Sequence, residues 1–171
     1  MRSRLLCVVY LLGLCAAGAP AVSAAQDEPL PLPGLDECLK AALEQRPGAV
    51  VEWRQLGSDA DPSYKVAVIS PEGKIAETTC SPAAPQGLHF ENRLGLRRYE
   101  IYERITVPES VARTTAPIVF RGPVRMTGMA LDLNLLGHVS YEYYMLLPSG
   151  HKAASQVDGI HGSLTHAEAD E

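Results

Sequence analysis

The sequence predicts an α+β protein made of two similar units, each a short helix packed on a small antiparallel β-sheet. Two observations carry this. A hairpin pattern is spelled twice, from Tyr64 to Cys80 and from Tyr141 to Val157. Laid over one another without a gap, the copies match Tyr64 with Tyr141, Pro71 with Pro148, Gly73 with Gly150 and Ala76 with Ala153. Ahead of each copy stands a helix-like segment followed by a turn of proline and glycine, Pro47-Gly48 in one case and Gly122-Pro123 in the other. Self-similarity at a fixed offset is the strongest architectural signal a sequence offers.

Residues 1–24 read as a signal peptide. Arg2 and Arg4 precede the apolar stretch Leu5 to Ala17, and Val22-Ser23-Ala24 is a small-residue cleavage pattern. The apolar run is short for a membrane span and is broken by Gly18 and Pro20. No stable span is expected after cleavage, and the compartment is the periplasm or the exterior. Loss of Arg2 and Arg4 takes the basic count from 15 to 13 against 20 acids, a net charge of −7. That balance argues against nucleic acid as a partner, because phosphate backbones select clustered Lys and Arg. The length after cleavage suits one domain or two very small ones.

Residues 25–34 are Pro-rich and acidic, a mobile lead-in. The first unit covers 35–87. Asp36 is placed to cap a helix, with Cys38, Leu39, Ala42 and Leu43 on one face. The spacing then predicts a strand over 49–56 with Ala49, Val51 and Trp53 on one side, a polar turn, and the first hairpin. In each hairpin the proline presets the first φ of the reversal and the glycine takes the left-handed position.

Cys7 and Cys15 leave with the signal peptide, and Cys38 and Cys80 remain. Two cysteines in an exported chain read most simply as one disulfide. On the strand's alternation Ala76, Thr78 and Cys80 share a side, so the bond would staple the helix to the sheet.

Residues 88–104 form the connector. Leu88 to Leu94 fits a short helix or an extended link, and Arg97 to Ile105 is β-compatible. The second unit covers 105–164. Thr106-Val107-Pro108-Glu109 has capping-box spacing for a second helix, which Pro117 stops. Met126 to Leu136 alternates as a half-buried strand leading to the second hairpin. From Gly162 the chain turns polar, and residues 165–171 are expected to fray.

A short helix, Arg46-Pro47-Gly48, a strand, and then Tyr64-x-Val66-x-Val68 with Pro71-x-Gly73-Lys74 together resemble the PepSY domain. The second copy fits through Tyr141 to Val157, and Asp158-Gly159-Ile160-His161-Gly162 is similar to that family's Asp-x-x-x-Gly exit. The first copy departs there, with Cys80-Ser81-Pro82. At fold level the tandem arrangement is also similar to β-lactamase-inhibitor architecture. The resemblance implies a non-catalytic, exported bacterial module that binds a protein, with inhibition or regulation of a cell-envelope peptidase as its role. The alternative is a sensory or accessory module that binds a small ligand or metal for an envelope system, which makes the partner a peptidase or an envelope sensor. The family has no catalytic residues to transfer.

Other chemistry is sparse. His151, His161 and His166, with Asp158, Glu168 and Asp170, match no ligand spacing, so no metal or cofactor is expected. No Gly-x-Ser-x-Gly elbow or His-Glu-x-x-His motif occurs, and no enzyme activity is expected. Tyr99, Tyr102, Tyr141, Tyr143 and Tyr144 form an aromatic cluster. Cross-strand packing is the ordinary reading. The sharper one makes Tyr99, Tyr102, Tyr143 and Tyr144 candidates for partner binding, since tyrosine is enriched at interfaces. Tyr143 and Tyr144 are adjacent, so one must lie off the helix-covered side.

Overall fold

Both hairpins close with the same turn. Ser70 N–H donates to the Lys74 carbonyl at 2.9 Å and Gly73 N–H to Ser70 at 2.8 Å. Leu147 N–H donates to His151 at 2.9 Å and Gly150 N–H to Leu147 at 2.9 Å. Gly73 and Gly150 have φ of 76° and 84°, the left-handed value that a Cβ would disfavour. The computed structural model that shows this describes residues 29–93, 99–134 and 136–170. The expected signal peptide and Arg97-Arg98 lie outside the described residues.

The described elements run α1 (Leu35–Gln45), β1 (Ala49–Gln55), β2 (Tyr64–Ile69), β3 (Ile75–Cys80), β4 (Glu91–Asn92), α2 (Tyr99–Arg104), α3 (Glu109–Thr115), β5 (Arg125–Leu133), β6 (Val139–Leu146), β7 (Lys152–Asp158) and β8 (Leu164–Ala169). The strands form one antiparallel eight-stranded sheet, ordered β4-β3-β2-β1-β5-β6-β7-β8. This corrects the expectation of small separate sheets. Strands β1 and β5 pair antiparallel, with Glu52 opposite Ala130, Trp53 opposite Met129 and Arg54 opposite Gly128. Joining there removes two exposed edges, each of which would otherwise present unpaired backbone groups.

Helices α1 and α3 pack on one face of the sheet. The core between them and the strands gathers Leu35, Cys38, Leu39 and Ala42 of α1, and Ala112 and Ala116 around α3. Trp53, Tyr64, Val66, Met129, Tyr141, Tyr143 and Val157 come from the strands. Burying each large apolar side chain contributes about 1.5–3 kcal/mol. Cys38 and Cys80 are bonded with a Cα–Cα separation of 5.7 Å, tying α1 to β3 as expected. Ala76 and Thr78 are buried on the same strand.

Five local expectations fail for identifiable reasons. Ala49, Val51 and Trp53 do not share a side, because the β1–β2 register shifts between Val50 and Glu52. The extra residue of that bulge sends Val50 and Trp53 toward α1 and α3, and Ala49 and Val51 to the opposite face. Residues 99–104 are helix rather than strand. Ile101, Tyr102 and Ile105 also fit helical spacing, and Ile101 packs on Val51, Ala67 and Ile69 of the second face.

The capping box does not form. Pro108 is the N-cap of α3 without a side-chain bond. Thr106 Oγ1 donates to the Ile160 carbonyl at 2.6 Å instead, while Glu109 turns inward. Likewise Gly34, not Asp36, is the N-cap of α1. Finally, the expected frayed tail is strand β8, paired with β7 from Val157–Leu164 to Ala153–Ala169. Residues 165–169 are all exposed, so side-chain alternation could not have revealed a strand held by backbone pairing.

Candidate functional site

The first residue of each sheet-packed long-range helix is buried, and the two differ in kind. Leu35 opens α1 and is wholly apolar; Glu109 opens α3 and is 7% exposed. The strand residue beneath differs too. Counting from the aligned Tyr64 and Tyr141, Val66 corresponds to Tyr143. An apolar pair in the first half is thus matched by a carboxylate and a phenol in the second.

Burying a carboxylate is costly unless donors meet it. Trp53 Nε1–H, from β1, donates to Glu109 Oε1 at 2.8 Å. The Tyr143 hydroxyl lies 3.1 Å from the Glu109 carbonyl oxygen and 3.5 Å from Oε1. It has one proton, and the shorter contact places it on the carbonyl. Arg113 Nε stands 3.6 Å from Oε1, one turn along α3, and the same guanidinium pairs with Asp36 of α1. Glu109 Oε2 is buried without a partner. Burial therefore raises the Glu109 pKa, against the opposing pull of Arg113 and the Trp53 hydrogen bond. Burial also raises the Tyr143 pKa, and the nearby Glu109 adds to it.

Glu109 lines a cleft of about 520 Å³ between α1 and α3. Its apolar wall is Leu39, Leu43, Val50, Ile105 and Pro108, and its charged rim is Asp36, Lys40 and Glu44. Lys40 and Glu44 are a surface pair at 3.9 Å, a contact that contributes little. The Arg113–Asp36 pair joins α3 to α1 beside this cleft.

The sequence-selected tyrosines are not brought together. Tyr99 opens α2, and its side chain lies outside the described residues. Tyr102 packs partly buried on the second face of the sheet. Tyr143 is fully buried beneath α3, so it packs in the core rather than meeting solvent. Tyr144 points the other way and is 40% exposed, its hydroxyl donating to Glu142 at 2.9 Å. Tyr141 is buried beside Tyr143 and donates to the Val107 carbonyl at 2.7 Å. The histidines take separate partners: His161 faces Asp158, His166 faces Glu168, and His151 Nδ1 lies 3.0 Å from the Asp170 carbonyl.

Sequence reasoning placed Glu109 in a cap and so missed the network. The usable signal was Glu109 standing where the first helix has Leu35.

Fold and site define a single-sheet α+β domain with a helix-walled apolar cleft and a buried carboxylate at its edge. A "putative lipoprotein" from Clostridium difficile 630 has a similar structure, with 12% identity over 79% of this chain and 91% of that one and a TM-score of 0.49. The YpeB C-terminal domain of Bacillus megaterium is similar over 85% of this chain and 67% of that one, with 11% identity and a TM-score of 0.30. No family model and no curated protein matches the sequence.

Proposed function

We propose that this chain is an exported, non-catalytic module of two PepSY-like units that binds a protein partner through the cleft between α1 and α3. The partner inserts an apolar segment between Leu39, Leu43, Ile105 and Pro108. The cleft carries the reading: it is large, apolar-walled and rimmed by charge, as peptide-accepting grooves are. Regulation of a cell-envelope peptidase is the role consistent with the repeated Tyr…Pro-x-Gly pattern.

Duplication is supported by matched tertiary contacts. The Tyr64 hydroxyl donates to Pro33, two residues before α1, at 2.9 Å. Its counterpart Tyr141 donates to Val107, two residues before α3. The pair Tyr64–Cys80 across β2 and β3 has its equal in Tyr141–Val157 across β6 and β7. Export is supported by the signal-like first 24 residues and by the Cys38–Cys80 bond, which suits an oxidising compartment.

The test is capture from an envelope extract by immobilised chain 25–171, beside Leu43→Asp in the cleft and Leu136→Asp on the β5–β6 turn. Wild type and Leu136→Asp should retain a common partner that Leu43→Asp loses. A peptidase whose casein hydrolysis slows as the chain is added supports the regulatory role, whereas a captured sensor protein favours the accessory reading. Equal recovery by all three proteins counts against the cleft.

A further inference from the structure

We infer that the cleft selects a cationic, apolar peptide segment, a lysine or arginine flanked by hydrophobic residues, and that Glu109 is the group that recognises the charge. This rests on the cleft being the binding site. Two independent observations support it. The charged groups lining the cleft are three acids, Asp36, Glu44 and Glu109, against Lys40; Lys40 pairs with Glu44 and Arg113 with Asp36, which leaves Glu109 as the acid facing a ligand. Glu109 is 93% buried, counted from its 7% exposure, and its Oε2 has no hydrogen-bond partner. A buried acceptor whose lone pairs meet no donor gains more from an incoming N–H than an exposed one, because water has already been stripped from it.

The surrounding geometry suits an arriving cation. Oε1 is occupied by the Trp53 indole, which fixes one side of the carboxylate. Arg113, the nearest cation, is drawn toward Asp36 and stays 3.6 Å from Oε1. Oε2 is therefore the acceptor left for a ligand, and because it is buried, a donor entering from the cleft reaches it only if the carboxylate turns outward and exchanges its Trp53 bond for the incoming N–H. Leu39, Leu43 and Ile105 would cover the aliphatic stem of the lysine or arginine and the apolar residues beside it. Trp53 is the chain's one tryptophan, so its emission reports on the carboxylate to which it is bonded.

The test uses three pools of N-acetylated, C-amidated pentapeptides with apolar flanks and a central lysine, norleucine or glutamate. Each is titrated into chain 25–171 with Trp53 emission and thermal shift as readouts. The lysine pool should bind about tenfold tighter than the norleucine pool, as a charge-assisted hydrogen bond provides. The glutamate pool should bind most weakly. Glu109→Gln should erase the lysine preference while still binding the norleucine pool. The Glu44→Gln variant, altered on the rim away from the Arg113–Asp36 pair, should keep it, and it decides the matter if Glu109→Gln fails to fold. Equal binding of lysine and norleucine pools overturns the inference and leaves the cleft reading standing. A preference that survives Glu109→Gln, or vanishes in the rim variant, overturns the role of Glu109. Binding of no pool sinks the cleft reading and this inference with it.

Discussion

The Trp53 indole and the Glu109 carboxylate meet at 2.8 Å although they come from β1 and α3, 56 residues apart. The bond links the strand at the centre of the sheet to the helix over its other half. It also supplies the carboxylate's shortest hydrogen bond, since Arg113 stands farther away.

Trp53→Phe should strip Glu109 of that donor while keeping an aromatic ring in the core. Leaving a buried carboxylate oxygen unpaired costs about 1–3 kcal/mol, in addition to the lost ring area. Urea unfolding of wild type, Trp53→Phe, Glu109→Gln and the double variant gives the coupling directly. Additive losses would show that the two groups act independently.

The acid–base behaviour of Glu109 has a definite sign. Burial raises its folded pKa above that of an unfolded glutamate, so the folded state holds the proton more tightly. Its burden on stability is absent below the unfolded carboxylate range and grows as pH rises from there through the folded value. Arg113 on α3, Asp36 on α1, Trp53 on β1 and Tyr143 on β6 are the charged and hydrogen-bonding groups that surround it. The stability of Glu109→Gln relative to wild type should therefore increase as pH rises from the unfolded glutamate range, about 4.3, through the raised folded value. Parallel stability profiles for the two proteins across that range would refute the assignment.

The Cys38–Cys80 bond joins residues with a sequence separation of 42. Its removal by paired serine substitution should cost up to about 4 kcal/mol on chain-entropy grounds. Non-reducing mass analysis of the protein folded under oxidising conditions should show the chain lighter by two hydrogens; free thiols would contradict the bond. The second half has no such staple, and buried Ala112 and Val157 pack there instead.

The adjacent tyrosines of β6 should separate cleanly. Tyr143→Ala opens a cavity under α3 and should cost about 3–5 kcal/mol, as large aromatic truncations do. Tyr144→Ala, on the more open face, should stay within about 1 kcal/mol, in line with surface substitutions. Thermal melts of the two variants give the comparison, and similar losses would place Tyr144 in the core as well.

Much of this architecture was legible because it depends on local rules. The Pro-x-Gly turns, the α1 apolar face and the Cys38–Cys80 pairing follow from φ preferences, helical period and cysteine count, all read within short windows. The Val50/Glu52 bulge was not legible, since one inserted residue reverses the facing of Ala49 and Val51 without altering composition. Residues 99–104 satisfied both strand alternation and helical spacing, and only the uncovered surface of Val51, Ala67 and Ile69 selected the helix. Strand β8 packs on the core only through Leu164, and residues 165–169 are exposed, so no apolar alternation marks it.

The site was the least legible part. Glu109 had a plausible local role in a cap, and nothing near it in sequence announces Trp53. By itself the amino-acid order determined the elements with a periodic apolar face, their turns and their repetition. The tertiary structure alone decided that β1 would pair with β5, making one sheet and bringing an indole beneath a helix encoded 56 residues later. The reason is that strand pairing satisfies backbone groups common to every residue, so the choice of neighbour is settled by the packing of the whole chain.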